Sequence, residues 1–169
     1  FVNVIALPVA AASANGPICP GATLNLTASG GVSYAWSGPN GFTSSVQNPS
    51  VANFISANAG AYKVTVTNAG NCTSTATVNV AMKNGASVNA GPDKTACAGS
   101  LVNFLGGGTA NQFEWSGPGG FTAFTASAKI TGVTVSQSGI YVLKGTSADG
   151  CIDLDSMELT VIDGYGISA

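Results

Sequence analysis

The chain has 169 residues and few charges: seven acidic residues, five lysines, no arginine and no histidine. Without arginine there is no bidentate clamp for phosphate or carboxylate groups, and without histidine the commonest general base at neutral pH is missing. No run of about eighteen apolar residues occurs, so no helix that inserts into a membrane is predicted. The length allows one large domain or two small ones.

The charges are divided unevenly along the chain. Residues 1–86 hold Lys63 and Lys83 and no carboxylate, a charge of +2, whereas residues 87–169 hold seven carboxylates and three lysines, a charge of −4. Neither half has the basic surface that binds nucleic acid, so no nucleic-acid partner is predicted. The first half also lacks the carboxylates and bases that hydrolysis requires. We therefore predict that the protein is not an enzyme and needs no cofactor.

In chain order, short apolar–polar alternations separated by turn residues predict β-strands. They occur at 1–5, 24–27, 64–67, 78–80, 102–104 and 159–161. Alternation places one face of a strand on a core and the other in water, and no segment shows a helical period. The predicted class is all-β, and about seven short strands per half favour an immunoglobulin-like Greek-key sandwich.

The most informative feature is an internal repeat whose landmarks recur at a nearly constant offset. Because several separate landmarks share that offset, the two halves are interpreted as copies of one module. The matching landmarks are WSGPNGFT at 36–43 with WSGPGGFT at 115–122, GAY at 60–62 with GIY at 139–141, Cys72 with Cys151, and Cys19 with Cys97.

The repeat predicts two domains, residues 6–84 and residues 85–169, with the boundary in a polar turn-forming stretch. Residues 1–5 (FVNVI) resemble residues 77–81 (TVNVA), which close the first module. We therefore predict that residues 1–5 are a terminal strand, for which two origins remain open. It is either the last strand of a preceding repeat in a longer array, or a strand that adds to the sheet of a neighbouring subunit.

The landmarks resemble those of immunoglobulin-like and PKD-like repeats in large cell-surface adhesins of the Bacteroidota, including gliding-type adhesins and proteins exported by type IX secretion. The resemblance is carried by CPG at 19–21, the two WSGP segments, the two Gly-x-Tyr segments, and GNC at 70–72 with GC at 150–151. The second module departs from the pattern at Ala98, where the first has proline. The resemblance implies an extracellular spacer, stalk, filament or adhesive module.

The four cysteines, Cys19, Cys72, Cys97 and Cys151, predict disulfides. One matched pair per repeat favours bonds within each module, Cys19 with Cys72 and Cys97 with Cys151, although four cysteines allow three pairings. Such a bond would staple one end of each sandwich and stabilise it by about 4 kcal/mol. The alternative, a metal site, lacks histidine and Cys-x-x-Cys partners, so no metal is predicted.

The aromatic landmarks allow a structural and a functional interpretation. Trp36 and Trp115 are expected in the core between the sheets, and exposed rings would instead indicate a platform for sugars. Tyr62 and Tyr141 resemble the tyrosine corner of Greek-key sandwiches, where the hydroxyl bonds upstream backbone. Buried tryptophans would argue against the alternative function, a carbohydrate-binding module that recognises surface glycans.

Two smaller motifs lie in the second module. Asp149, Asp153 and Asp155 could hold Ca²⁺, but a solvated strand face is the preferred interpretation. Asp155-Ser156-Met157 matches the O-glycosylation pattern of the same bacterial phylum, which makes Ser156 a candidate glycosylation site. The sequence as a whole favours a non-catalytic structural or adhesive repeat whose partners are other copies or neighbouring repeats of the same protein.

Overall fold

The structure, a computed structural model, describes residues 5–163. Within that range it contains strands, three short 3₁₀ turns and no α-helix, which confirms the predicted all-β class. The chain divides into two compact units, Phe1–Lys83 and Asn84–Ala169, one residue before the predicted boundary. Of the predicted terminal strand 1–5, only Ile5 is among the described residues.

Unit 1 is built from two antiparallel sheets. One has the order β1-β2-β5 and the other β4-β3-β6-β7. A 3₁₀ turn at Ser56–Asn58 precedes β6. The strands are β1 (Ala11–Ala14), β2 (Leu24–Ser29), β3 (Ser33–Ser37), β4 (Thr43–Ser44), β5 (Ser50–Val51), β6 (Gly60–Thr67) and β7 (Thr73–Val80).

Unit 2 has nine strands, and its last strand is longer than that of unit 1. Its main sheet has the order β13-β12-β15-β16-β9, and β10 pairs with β14 and β8 with β11. Two 3₁₀ turns lie at Pro118–Gly120 and Val135–Gln137. The strands are β8 (Val88–Asn89), β9 (Lys94–Cys97), β10 (Val102–Leu105), β11 (Gly107–Gly108), β12 (Gln112–Gly117), β13 (Phe121–Ala123), β14 (Ser127–Ile130), β15 (Gly139–Thr146) and β16 (Ile152–Ile162).

Each unit buries a core of its own between its sheets. In β2, Leu24, Leu26 and Ala28 are buried while the residues between them are exposed, because successive side chains of a strand point to opposite faces. Buried residues of β2 and of β6 belong to one apolar cluster, and a second cluster lies wholly in unit 2. At about 25 cal/mol for each Å² of apolar area buried, these clusters are the main source of stability.

The two units also share strand register. Trp36 lies opposite Val64 in the β3–β6 pair, and Trp115 lies opposite Leu143 in the β12–β15 pair. The partners in the second pair are those of the first displaced by one repeat length. The repeat in the sequence is therefore a repeat of side-chain pairing.

A glycine gives each buried tyrosine its space. A Cβ atom on Gly38 would lie 2.5 Å from Cδ1 of Tyr62, and one on Gly117 would overlap the ring of Tyr141 in the same way. Both tyrosine rings are fully buried, so they have little room to move aside. The glycine of the WSGP motif is thus explained by close approach of the ring, without reference to a left-handed backbone conformation.

We predict that Gly117→Ala lowers the free energy of unfolding of unit 2 by about 1–3 kcal/mol, the usual cost of overpacking a core. Gly107→Ala is the matched control, since a Cβ there would meet no atom within 4 Å. Calorimetric unfolding of both variants checks this prediction. Equal stability of the two alanine variants would contradict the close-approach explanation.

Candidate functional site

The aromatic landmarks lie inside the two cores. Trp36 is 3% exposed and Trp115 is 0% exposed, so neither ring offers a face to a ligand. Each indole donates its one N–H to a backbone carbonyl, Trp36 Nε1 to Gln47 at 3.1 Å and Trp115 Nε1 to Ala126 at 3.0 Å. The sugar platform considered for these two residues is therefore excluded by their burial.

The tyrosines of the two Gly-x-Tyr segments are likewise committed to the fold. The Tyr62 hydroxyl donates to the carbonyl of Asn58 at 2.8 Å, and the Tyr141 hydroxyl donates to the carbonyl of Gln137 at 2.8 Å. Burial raises the pKa of Tyr62 and of Tyr141 above the ordinary value of 10.0, because desolvation disfavours the phenolate. Each hydroxyl proton is committed to a backbone carbonyl, and both rings are buried, so this geometry anchors the fold.

The cysteines do not pair as predicted. Cys19 and Cys151 are disulfide-bonded, whereas Cys72 and Cys97 carry free thiols. Both predicted bonds, Cys19 with Cys72 and Cys97 with Cys151, require one of the free thiols. The prediction of one disulfide within each module is therefore wrong.

The reason is strand length in unit 1. Ile18, next to Cys19, forms a bridge with Met82 just beyond the end of β7, while Cys72 immediately precedes the start of β7. An extended strand rises about 3.3 Å per residue, which separates these positions by roughly 33 Å. A disulfide requires its two Cα atoms to lie within about 7 Å, so the pair cannot form in the folded module.

Unit 2 repeats this separation. Cys97 lies opposite Ile162 at the end of β16, and Cys151 immediately precedes the start of β16. The full length of this extended strand separates them by roughly 36 Å. Each module therefore presents one cysteine at each of its two ends.

We call the end at which the chain enters a module the entry end and the end at which it leaves the exit end. In unit 1, Cys72 is at the entry end, because its thiol lies 4.0 Å from the carbonyl of Ile5. Cys19 is at the exit end, because Lys83 donates its backbone N–H to the carbonyl of Ile18 at 2.8 Å.

The same assignment holds in unit 2. Cys151 is at the entry end: its backbone N–H donates to Ser147 Oγ at 3.1 Å, and that hydroxyl donates to the carbonyl of Asn84 at 2.8 Å. Cys97 is at the exit end, where Ala98 donates its N–H to the carbonyl of Ile162 at 2.9 Å. The bonded cysteines are thus one exit-end and one entry-end residue, and so are the free ones.

Three carboxylates of unit 2 bind its first segment, residues 84–90, by hydrogen bonds. Asp153 Oδ2 accepts the backbone N–H of Val88 at 2.9 Å, and Asp155 Oδ2 accepts that of Ala90 at 2.8 Å. Asp149 Oδ2 accepts both the backbone and the side-chain N–H of Asn84, at 2.8 and 2.9 Å. These oxygens satisfy backbone donors in the place of a neighbouring strand, a role that the sequence interpretation missed.

Metal binding finds no support in the positions of these carboxylates. Among residues 5–163, no three His, Cys, Asp or Glu side chains are grouped closely enough to hold an ion. The spacing of Asp153 and Asp155 does place both on one strand face, as the sequence suggested. What the sequence did not reveal is that backbone N–H groups from the distant first segment of the unit lie against that face.

A shallow groove of about 370 Å³ lies on the outer face of the main sheet of unit 2. Its floor includes an ion pair in which Lys144 Nζ lies 2.9 Å from Glu114 Oε2, with both side chains nearly half exposed. Phe124 lies beside this pair and is 75% exposed. Asn111 and Gln112 also line the groove.

Ser156 lies on β16, exposed and opposite Val142 of β15. Its O-glycosylation stays a prediction.

Among residues 5–163, no helix has the length and apolar character required to cross a membrane.

Comparison with known proteins supports the fold. Residues 6–82 match the family model of the PKD domain. No curated protein sequence is significantly similar to the chain.

Solved structures of immunoglobulin-domain proteins are similar to the chain at low identity. The N-terminal eight Ig domains of Down Syndrome Cell Adhesion Molecule are 16% identical with a TM-score of 0.53, and the match covers 94% of this chain and 24% of that one. The insect immune protein hemolin is 17% identical with a TM-score of 0.50, covering 92% of this chain and 47% of that one.

Three N-terminal domains of the Highly Immunogenic Outer Capsid protein of bacteriophage RB49 are 20% identical with a TM-score of 0.44, covering 92% of this chain and 59% of that one. The chain therefore spans less than two thirds of each of these three structures. At such identities the likeness to the two immunoglobulin-domain proteins concerns the fold alone: immunoglobulin-like β-sandwiches.

We predict that Asp155→Ala lowers the free energy of unfolding of unit 2 by about 1–3 kcal/mol, because the buried N–H of Ala90 loses its charged acceptor. Asp155→Asn keeps an acceptor oxygen and should cost less. Glu158→Ala, which removes an exposed carboxylate from the same strand, is the control and should change stability little. Urea unfolding measures the stability of all three variants. A loss of stability for Glu158→Ala equal to that for Asp155→Ala would refute the stabilising role of the hydrogen bond from Ala90 to Asp155.

Proposed function

We propose that the chain is a non-catalytic structural or adhesive repeat of an extracellular surface protein, acting as part of a stalk or filament. PKD and immunoglobulin-like domains are generally non-catalytic and are typical of adhesion and surface proteins. Its partners would be neighbouring repeats or further copies of the same protein.

The observation that carries the proposal is that the aromatic landmarks and three aspartates all stabilise the fold. Both tryptophans and both landmark tyrosines are buried and hydrogen-bonded to backbone, and Asp149, Asp153 and Asp155 bind backbone N–H groups. These groups stabilise the modules and offer little to a substrate. What remains available is the surface of two compact modules that carries little charge, which suits close packing of repeats.

The disulfide-bonded cysteines support the extracellular part of the proposal. Disulfides persist in oxidising compartments and are rare in the reducing cytosol. Cys19 and Cys151 are bonded, and Cys151 is also buried, which protects it from reductants. This chemistry, together with the fold, supports secretion and a role in a surface structure.

We expect an antibody raised against the chain to label the surface of intact source cells in immunogold micrographs, because the proposed location is outside the cell. Antibody against a cytosolic protein of the same cells is the control and should label only after permeabilisation. Label from the anti-chain antibody that also requires permeabilisation would overturn the extracellular proposal. Surface label confined to fibres or stalks would support the filament role in particular.

A second candidate function is carbohydrate binding in the groove of unit 2. The exposed ring of Phe124 stands beside the Glu114–Lys144 ion pair, which combines an apolar surface with donors and acceptors. Unit 1 has Ser45, Ala35 and Thr65 at the repeat-equivalent positions, so only the second module carries this combination.

We predict that, if the groove binds glycans, Phe124→Ala abolishes retention of the chain on a glycan array. Leu101→Ala is the matched control, since it truncates another exposed apolar side chain of unit 2 outside the groove. No retention of the unmutated chain by any glycan would reject this second function. Retention that survives Phe124→Ala would place the binding elsewhere.

A further inference from the structure

The two free thiols lie at opposite kinds of module end. Cys97 is exposed at the exit end of unit 2, and Cys72 is half-buried at the entry end of unit 1. Neither can bond the other cysteine of its own module, because a strand of roughly 33–36 Å separates them. Any disulfide that they form must therefore involve a cysteine outside their own module.

The internal repeat relates each free thiol to a bonded cysteine. Cys97 is the repeat-equivalent of Cys19, and Cys72 is the repeat-equivalent of Cys151. Those two equivalents are the cysteines that are disulfide-bonded in this chain. An exit-end cysteine and an entry-end cysteine of this module type are therefore both competent to form a disulfide in the folded state.

The backbone around the free thiols is the same as around their bonded equivalents. Ser100 donates its N–H to the carbonyl of Cys97 at 3.1 Å, as Ala22 does to the carbonyl of Cys19 at 3.1 Å. At the entry end, Asn68 donates its N–H to the carbonyl of Cys72 at 3.0 Å, as Ser147 does to that of Cys151 at 2.8 Å. Each free thiol is thus held by the same turn as a cysteine that reacts.

The entry-end turn of unit 1 is fastened independently of any disulfide. Asn68 Oδ1 accepts the backbone N–H groups of Gly70 and Cys72, both at 3.0 Å, and Asn68 Nδ2 donates to the carbonyl of Ala6 at 2.7 Å. Holding the thiol in one position lowers the entropy that is lost when it meets a partner. The turn is accordingly preorganised before the bond forms.

We propose that Cys97 of one copy of this chain and Cys72 of a second copy form a disulfide that joins the copies head to tail. The inference rests on the proposed role as a structural repeat and names its partner, a further copy of the same two-module chain. Because each copy carries one thiol of each kind, a linked pair still presents one Cys72 and one Cys97, and addition of further copies builds a covalent polymer.

The chemistry is thiol–disulfide exchange with a small disulfide oxidant, RS–SR. The Cys97 thiolate attacks one sulfur of the oxidant, the S–S bond breaks, and RS⁻ leaves and takes up a proton. The Cys72 thiolate of the second copy then attacks the Cys97 sulfur of the mixed disulfide and expels the second RS⁻. The two thiols lose two electrons and two protons in total, and the oxidant becomes two RSH.

The test uses the full chain, oxidised glutathione as RS–SR, and non-reducing electrophoresis with intact-mass analysis. We expect a ladder of oligomers that collapses to monomer with dithiothreitol, and a disulfide-linked peptide that contains Cys72 and Cys97. Cys72→Ser and Cys97→Ser alone should lose every species above the monomer. An equimolar mixture of the two variants should give a dimer and stop there, because each variant keeps only one of the two thiols.

Several outcomes overturn the linkage. They are a Cys97–Cys97 dimer in Cys72→Ser, closure of Cys72 with Cys97 inside one monomer, or no oligomer although both thiols react with maleimide. If a serine variant does not fold, capping the thiols of the unmutated chain with N-ethylmaleimide replaces it and should likewise abolish the ladder. Failure of the linkage leaves the immunogold result untouched, so the two proposals fail separately.

Discussion

The distance that an extended strand spans governs the placement of all four cysteines. In each module the last strand runs from one end of the sandwich to the other, with a cysteine next to its start and another beside its end. No rearrangement of side chains can bring sulfurs together across roughly 33 Å of hydrogen-bonded strand. The modules are therefore stabilised without an internal disulfide. Any disulfide that one of these cysteines forms requires a cysteine outside its own module.

That arrangement places the burden of internal stability on packing and hydrogen bonding. Unit 1 has no carboxylate and relies on an apolar core with Trp36 and Tyr62 anchored to backbone carbonyls. Unit 2 adds carboxylates, which accept backbone N–H groups of its first segment. The two modules thus reach the same register by partly different means, which explains how one repeat tolerates such different charge.

The sequence predicts much of this architecture because its landmarks are local. Alternation identifies β2 and β6, and the constant offset of the landmarks correctly pairs Trp36 with Trp115 as equivalent positions. The sheet-by-sheet arrangement is less accessible, since β4 and β5 have two residues each and show no period. Those short strands matter, because each one is a further pass of the chain along the module.

The error about the disulfides follows from those passes. Between Cys19 and Cys72 the chain passes along unit 1 five times, as β2 to β6, and an odd number of passes ends at the opposite side. Equal spacing in the two repeats is satisfied equally well by bonds within modules and by bonds beyond them. Repeat symmetry identifies which cysteines are equivalent, whereas only the fold reveals which end each one occupies.

The position of cysteines at both termini of one strand has a mechanical consequence. A pulling force that enters unit 2 at Cys151 and leaves beside Cys97 is carried along β16, which is hydrogen-bonded to β15 on one side and to β9 on the other. Such a load acts in shear, so the ladder bonds resist together instead of opening one after another. A module that is loaded through its two cysteines would unfold only when many of the backbone hydrogen bonds of β16 break together.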